Sequence, residues 1–122
     1  MLAGKRAVRV GDQLLREIAD LVIKKVNDPR VKGATITGIH LRDDLKHAKV
    51  YYSLIGDEKD IMRTQTGFDR AKGFIKREIG NRMDLKYIPD ITFEHDPSLE
   101  KGSYMERLFE KLKLDESTDT NE

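Results

Sequence analysis

The side chains best suited to chemistry lie in one segment, where Arg70, Lys72, Lys76, Arg77 and Arg82 alternate with Phe68, Ala71, Ile75, Ile79 and Met83. The apolar members recur every three or four residues, the spacing of one helical face. Cations on the remaining faces are equipped to neutralise a polyanion such as a phosphate backbone. Gly73 interrupts the middle of the segment. Glycine inside a helix costs about 1 kcal/mol relative to alanine, so a kink or a close backbone approach is its expected use. A solvated amphipathic helix with a tolerated glycine would show the same pattern.

Other chemistries find little support in the residues. His40, His47 and His95 are scattered, without the close spacing of a helix-borne metal pair. Cysteine is absent, which excludes disulfides, thiolate catalysis and thiolate-held metals. Ser98 and Ser103 have no nucleophile elbow around them, and Ser103 reads as a helix cap. Asp43 and Asp44 stand in a polar connection and read as a turn. Neither a phosphate-binding P-loop nor a dinucleotide fingerprint occurs. The expectation is a protein without enzymatic activity, metal or cofactor.

The net charge of +1 hides an uneven distribution. Residues 1–30 carry 7 basic and 4 acidic side chains, residues 31–62 carry 5 of each, residues 63–86 carry 7 and 3, and residues 87–122 carry 4 and 10. A polyanion would be drawn to the first and third blocks and kept off the acidic end. Lys5, Arg6 and Arg9 are therefore candidates for a second contact, although a generic basic amino terminus reads alike. No opening stretch has the length of a signal peptide and no later one approaches a membrane span, so a soluble cytoplasmic protein is expected.

These residues must be positioned by a small number of elements. Val10, Leu14, Ile18, Leu21, Val22 and Val26 form an apolar stripe that predicts a first helix from about Arg9 to Val26, ended by Asn27-Asp28-Pro29. Residues 34–41 are rich in threonine and isoleucine. Residues 47–54 alternate, with Ala48, Val50, Tyr52 and Leu54 on one face and Lys49, Tyr51 and Ser53 on the other. The two runs should pair as a hairpin. A long helical region follows over about 58–83, bent near Gly73, with acids at its start that suit the positive end of a helix dipole. Residues 90–95 give a third strand. Ser103 to Glu106 has capping-box spacing ahead of a short last helix, and the acidic residues 114–122 should be disordered. The expected domain thus covers residues 1–113.

This order predicts an α+β single domain with a three-stranded sheet, helices on one face and the other face wet. It is also the order of a type II KH module, in which a short linker between two helices grips nucleic-acid backbone. Tyr51 and Lys49, on the open face, could meet RNA by stacking and charge, although tyrosine is equally a good strand former.

Several segments, taken in order, resemble the bacterial ribosome-binding factor A family. They are Arg9-Val10 through the first helix to Asp28-Pro29-Arg30, Asp44-Leu45 with Ala48 to Ser53, Arg70 to Gly80, Pro89 to Phe93, and Asp96-Pro97-Ser98. The likeness extends over about residues 5–112. It implies a KH-like type II fold in which an Ala-x-Gly element, here Ala71-Lys72-Gly73, kinks two consecutive helices in place of the Gly-x-x-Gly linker. Helix-start N–H groups freed at Gly73, with Lys72, Lys76 and Arg77 beside them, would then take phosphate. The lack of Gly-x-x-Gly argues against single-strand base reading and for recognition of a folded rRNA surface.

The resemblance further implies a cold-adaptation factor for late maturation of the small ribosomal subunit. It would bind the free 30S subunit or its precursor through 16S rRNA and promote 16S rRNA 5′-end processing, with a link to a ribosome-assembly GTPase, as a monomer without membrane attachment. Two other readings stay open on the residues alone. One is a protein-interaction adaptor that uses the acidic carboxyl end, and the other is a small α+β enzyme acting on acyl or phosphoryl groups.

Overall fold

The computed structural model describes residues 5–98. The expected short last helix and the acidic tail 114–122 lie outside the described residues. The apolar stripe of the first helix forms as its spacing predicts. Helix α1 spans Lys5–Lys24 and buries Leu14, Ile18, Leu21 and Val22. It begins about one turn earlier than the apolar pattern, because Lys5 and Arg6 are good helix formers that need no buried partner. A 3-10 turn over Pro29–Val31 follows, not foreseen in the sequence. Asp28 caps it by accepting the Arg30 N–H.

Strands β1 (Thr35–Leu41) and β2 (His47–Ser53) pair antiparallel, as the alternating runs require. In their connection Leu45 adopts a left-handed φ of 62°, and the Asp44 carboxylate accepts the Lys46 N–H at 2.9 Å. The register shifts between Ile36 and Gly38, so Thr37 is the extra residue of a bulge. Strand β3 (Asp90–His95) lies parallel to the other edge of β2, giving the order β1-β2-β3. A parallel neighbour needs a long crossover, and helix α2 (Glu58–Arg82) supplies it.

The core lies between the two helices and one sheet face. Ala48, Val50 and Tyr52 of β2, Ile91 and Phe93 of β3 and Phe68, Ile75 and Ile79 of α2 are all buried. Phe68 stacks on Phe93 with ring centroids 4.4 Å apart, and Tyr52 tilts against Phe68 at 4.7 Å. The Tyr52 hydroxyl donates to Gln65 Oε1 at 2.6 Å, and Gln65 Nε2 donates to the Phe93 carbonyl at 2.8 Å, so α2, β2 and β3 share one polar link. Burial pushes the Tyr52 phenol up to about 12. Lys49 and Tyr51 alternate out of this core onto the opposite sheet face, where Lys49 Nζ lies 3.7 Å from Glu94.

The fold class, element order and one-sided sheet agree with the sequence reading. The expected division at Gly73 does not. Residues 58–82 form one continuous helix, and no glycine among the described residues has a positive φ. Phe68 on one side of Gly73 and Ile75 and Ile79 on the other are buried in the same core. Burying each such side chain contributes roughly 1.5–3 kcal/mol, which outweighs the cost of one glycine. No second helix start opens at Gly73, and the N–H anion site expected there is absent.

Candidate nucleic-acid interface

Helix α2 starts at a capping box. Asp57 accepts the Asp60 N–H at 2.9 Å, and Asp60 accepts the Asp57 N–H at 3.0 Å. From that fixed start, a period of 3.6 residues sorts the basic side chains by direction. Arg63, Arg70 and Arg77, seven residues apart, are exposed on the face turned away from the core. At 1.5 Å rise per residue they stand about 10 Å apart along the helix. No ion pair joins any of them to another described residue. Arg63 was not singled out in the sequence reading, yet it lies at helical spacing from Arg70, a signal that was available.

The other candidates point elsewhere. Lys72 and Lys76 flank the side of α2 that overhangs β3, where Lys76 Nζ bonds Asp90 Oδ1 at 2.5 Å. That bond holds the Asp90 carboxyl below the usual carboxylate range. Ala71 packs half-buried against the core. Gly73 is exposed, and a Cβ added to it would meet nothing within 4 Å.

Arg82 is committed to α1, where Nη1 bonds Asp20 Oδ2 at 2.8 Å and Glu17 Oε2 at 3.0 Å. These bonds raise the guanidinium pKa, Asp20 first and Glu17 second. Arg82 thus fastens α2 to α1. Lys5, Arg6 and Arg9 are exposed on the opening turns of α1. Arg6 shares a cleft of about 310 Å³ with Lys86 and Tyr87, whose cation and ring lie 5.7 Å apart. Arg6 of the first basic block thus shares with Lys86, which the sequence reading did not select, a cleft whose lining also holds Asp43 and Asp44.

The histidines are separate. His47 Nε2 lies 3.2 Å from Thr92 Oγ1, and the His95 ring packs 5.6 Å from that of Tyr52. Among the described residues no group of three or more His, Cys, Asp or Glu could hold a metal ion. No helix among them is long and apolar enough to cross a membrane.

The sequence profile of the family described as "Ribosome-binding factor A" matches residues 6–109. A ribosome-binding factor A from Staphylococcus epidermidis is 48% identical over 107 residues, covering 88% of this chain and 92% of the relative. The crystal structure of ribosome-binding factor A from Thermus thermophilus superposes with a TM-score of 0.64 at 20% identity, covering 73% of this chain and 94% of that one. A Thermus thermophilus homology model fitted into a cryo-EM map of a 30S complex gives 0.60 at 21% identity, over 73% and 93% of the two chains. The matched span takes in both helices, all three strands and every basic side chain described above except Lys5, and on that ground the chain belongs to the ribosome-binding factor A family.

Proposed function

We propose that this protein binds the small ribosomal subunit, or its precursor, through the phosphate backbone of folded 16S rRNA, and acts as a non-enzymatic factor in late subunit maturation. The observation that carries this reading is the outward row Arg63, Arg70 and Arg77 on one uninterrupted helix of a family named for ribosome binding. A Thermus thermophilus relative has been fitted into the density of a 30S complex. Phosphate contacts position a protein but carry little sequence information, so the specificity of this surface lies in shape. A row of cations along one continuous helix selects rRNA whose phosphates match its spacing.

In this reading Arg63, Arg70 and Arg77 make the principal contacts, and Lys72 adds one from the side that faces β3. Gly73 keeps the helix surface bare between them, and Lys5, Arg6 and Arg9 supply a second contact beside Lys86. Arg82 acts indirectly by holding α2 on α1. The factor favours one immature rRNA conformation by its difference in affinity for the two states, and 16S 5′-end processing proceeds from that conformation. It acts in the cytoplasm as a monomer, and a ribosome-assembly GTPase is the class of partner that promotes release.

Gradient sedimentation of a cell extract, followed with an antibody to this protein, tests the reading. Co-migration with free small subunits, lost after nuclease treatment, is the expected result. Migration at the top of the gradient, or binding that survives removal of the RNA, would overturn it.

A further inference from the structure

The side of α2 that faces β3 carries a cleft of about 390 Å³, lined by His47, Lys72, Gly73, Lys76, Asp90 and Thr92. Three features of it lack a structural explanation. The Asp90 carboxylate caps no helix and is 73% exposed, with Lys76 as its partner. An ion pair so exposed adds little to stability. Lys72 makes no close ion pair with another described residue and acts on Asp90 only through space, behind Lys76. Gly73 weakens the helix, yet no neighbour requires its missing side chain. A side chain there would project at the mouth of the cleft.

A single cause accounts for all three. We propose that the cleft seats one phosphate group of the RNA backbone against Lys72, Lys76 and the bare helix surface at Gly73, and that Asp90 is its built-in competitor. In the free protein the carboxylate occupies Lys76. On binding, a phosphate oxygen takes the ammonium and Asp90 turns to solvent, which its exposure at the start of β3 permits, while its backbone N–H stays bonded to the Lys46 carbonyl at 2.9 Å. A phosphate bonds an ammonium by the same charge-assisted geometry as a carboxylate, so the exchange conserves the contact. Its net effect is weaker binding than the cation set alone would give, which suits a factor that must leave. This inference rests on the RNA reading above and adds to it a device that limits affinity.

A double-mutant cycle at positions 76 and 90 tests the exchange, with binding to purified 30S subunits measured at low salt. Asp90→Asn should tighten binding by roughly three- to tenfold, the coupling expected of a contacting charge pair. In a Lys76→Gln background the same change should tighten it no more than Asp12→Asn, an exposed acid on α1 that lines a different hollow beside β1. A gain that persists undiminished without Lys76, or that Asp12→Asn reproduces in the wild-type background, would show a general charge effect and overturn the proposal. Thermal melting of each variant verifies that it is folded. Wild-type protein that fails to bind would sink the RNA reading itself, whereas wild-type binding with an additive cycle removes the competitor alone.

Discussion

Two glycines of α2 make opposite use of a missing side chain. At Gly67 a Cβ would stand 2.8 Å from Val31 Cγ1 and 3.0 Å from Arg30 Cβ, so the 3-10 turn packs directly on the helix backbone. Gly67→Ala should destabilise the fold by roughly 1–3 kcal/mol, the usual cost of overpacking, read as a lower urea midpoint with unchanged slope. At Gly73 the space is open. Gly73→Ala should raise stability by about 1 kcal/mol while weakening binding to 30S subunits, because the added methyl stands where the RNA backbone is proposed to approach. A stabilised variant with undiminished binding would leave Gly73 without a role in recognition. The sequence drew attention to Gly73, which breaks a helical pattern among cations. It gave no sign of Gly67, because the contact that demands it comes from a turn more than thirty positions earlier in the chain.

The elements were legible where local periodicity decides them, and less so where distant contacts do. The stripe of α1, the alternation of β2 and the apolar pair Ile91 and Phe93 each fix a buried face within a few residues. The continuity of α2 depends instead on Phe68, Ile75 and Ile79 reaching a common core, which helix propensity at position 73 does not encode. The 3-10 turn, by contrast, is local: Asp28, just ahead of Pro29, takes the Arg30 N–H at 2.9 Å and its guanidinium at 2.6 Å, a capping signal that the sequence carries within three residues. Those bonds, with the side-chain one largest, bring the Asp28 carboxyl down from 3.8 to about 2. A carboxylate depressed in the folded state contributes stability that is complete above its unfolded pKa and lost as pH falls through its folded one. Acid titration of stability should therefore show a loss between pH 3.8 and about 2, part of which disappears in Asp28→Asn. An acid limb unaltered by that substitution would mean the cap contributes nothing to folding. The Tyr52–Gln65 bond joins helix to sheet across 13 positions, and Tyr52→Phe should cost about 0.5–1.5 kcal/mol by removing that hydrogen bond to the half-buried Gln65.

Over the whole molecule, the charge blocks of the sequence separate into cations that are free and cations that are spent. Lys76 and Arg82 belong to the basic third block, yet their partners Asp90, Glu17 and Asp20 come from the acidic end and from the first block. Counting charges along the chain cannot reveal such pairings, which span 14, 65 and 62 positions. What survives is directional, with Arg63, Arg70 and Arg77 outward on α2 and Lys5, Arg6 and Arg9 on the opening turns of α1. Each phosphate neutralised releases counterions, so log affinity should fall with log salt by about 0.7–0.9 per contact. Replacing Arg63, Arg70 and Arg77 together with glutamine should flatten that slope by roughly two to three units if all three touch phosphate. Arg82→Gln removes equal charge per residue but frees Glu17 and Asp20, so it should lower thermal stability and leave the slope nearly unchanged. Binding curves for the two variants over a salt series separate the roles, since a slope lost with Arg82 and kept without the three arginines would place the interface at the α1–α2 junction instead of along the outer face of α2.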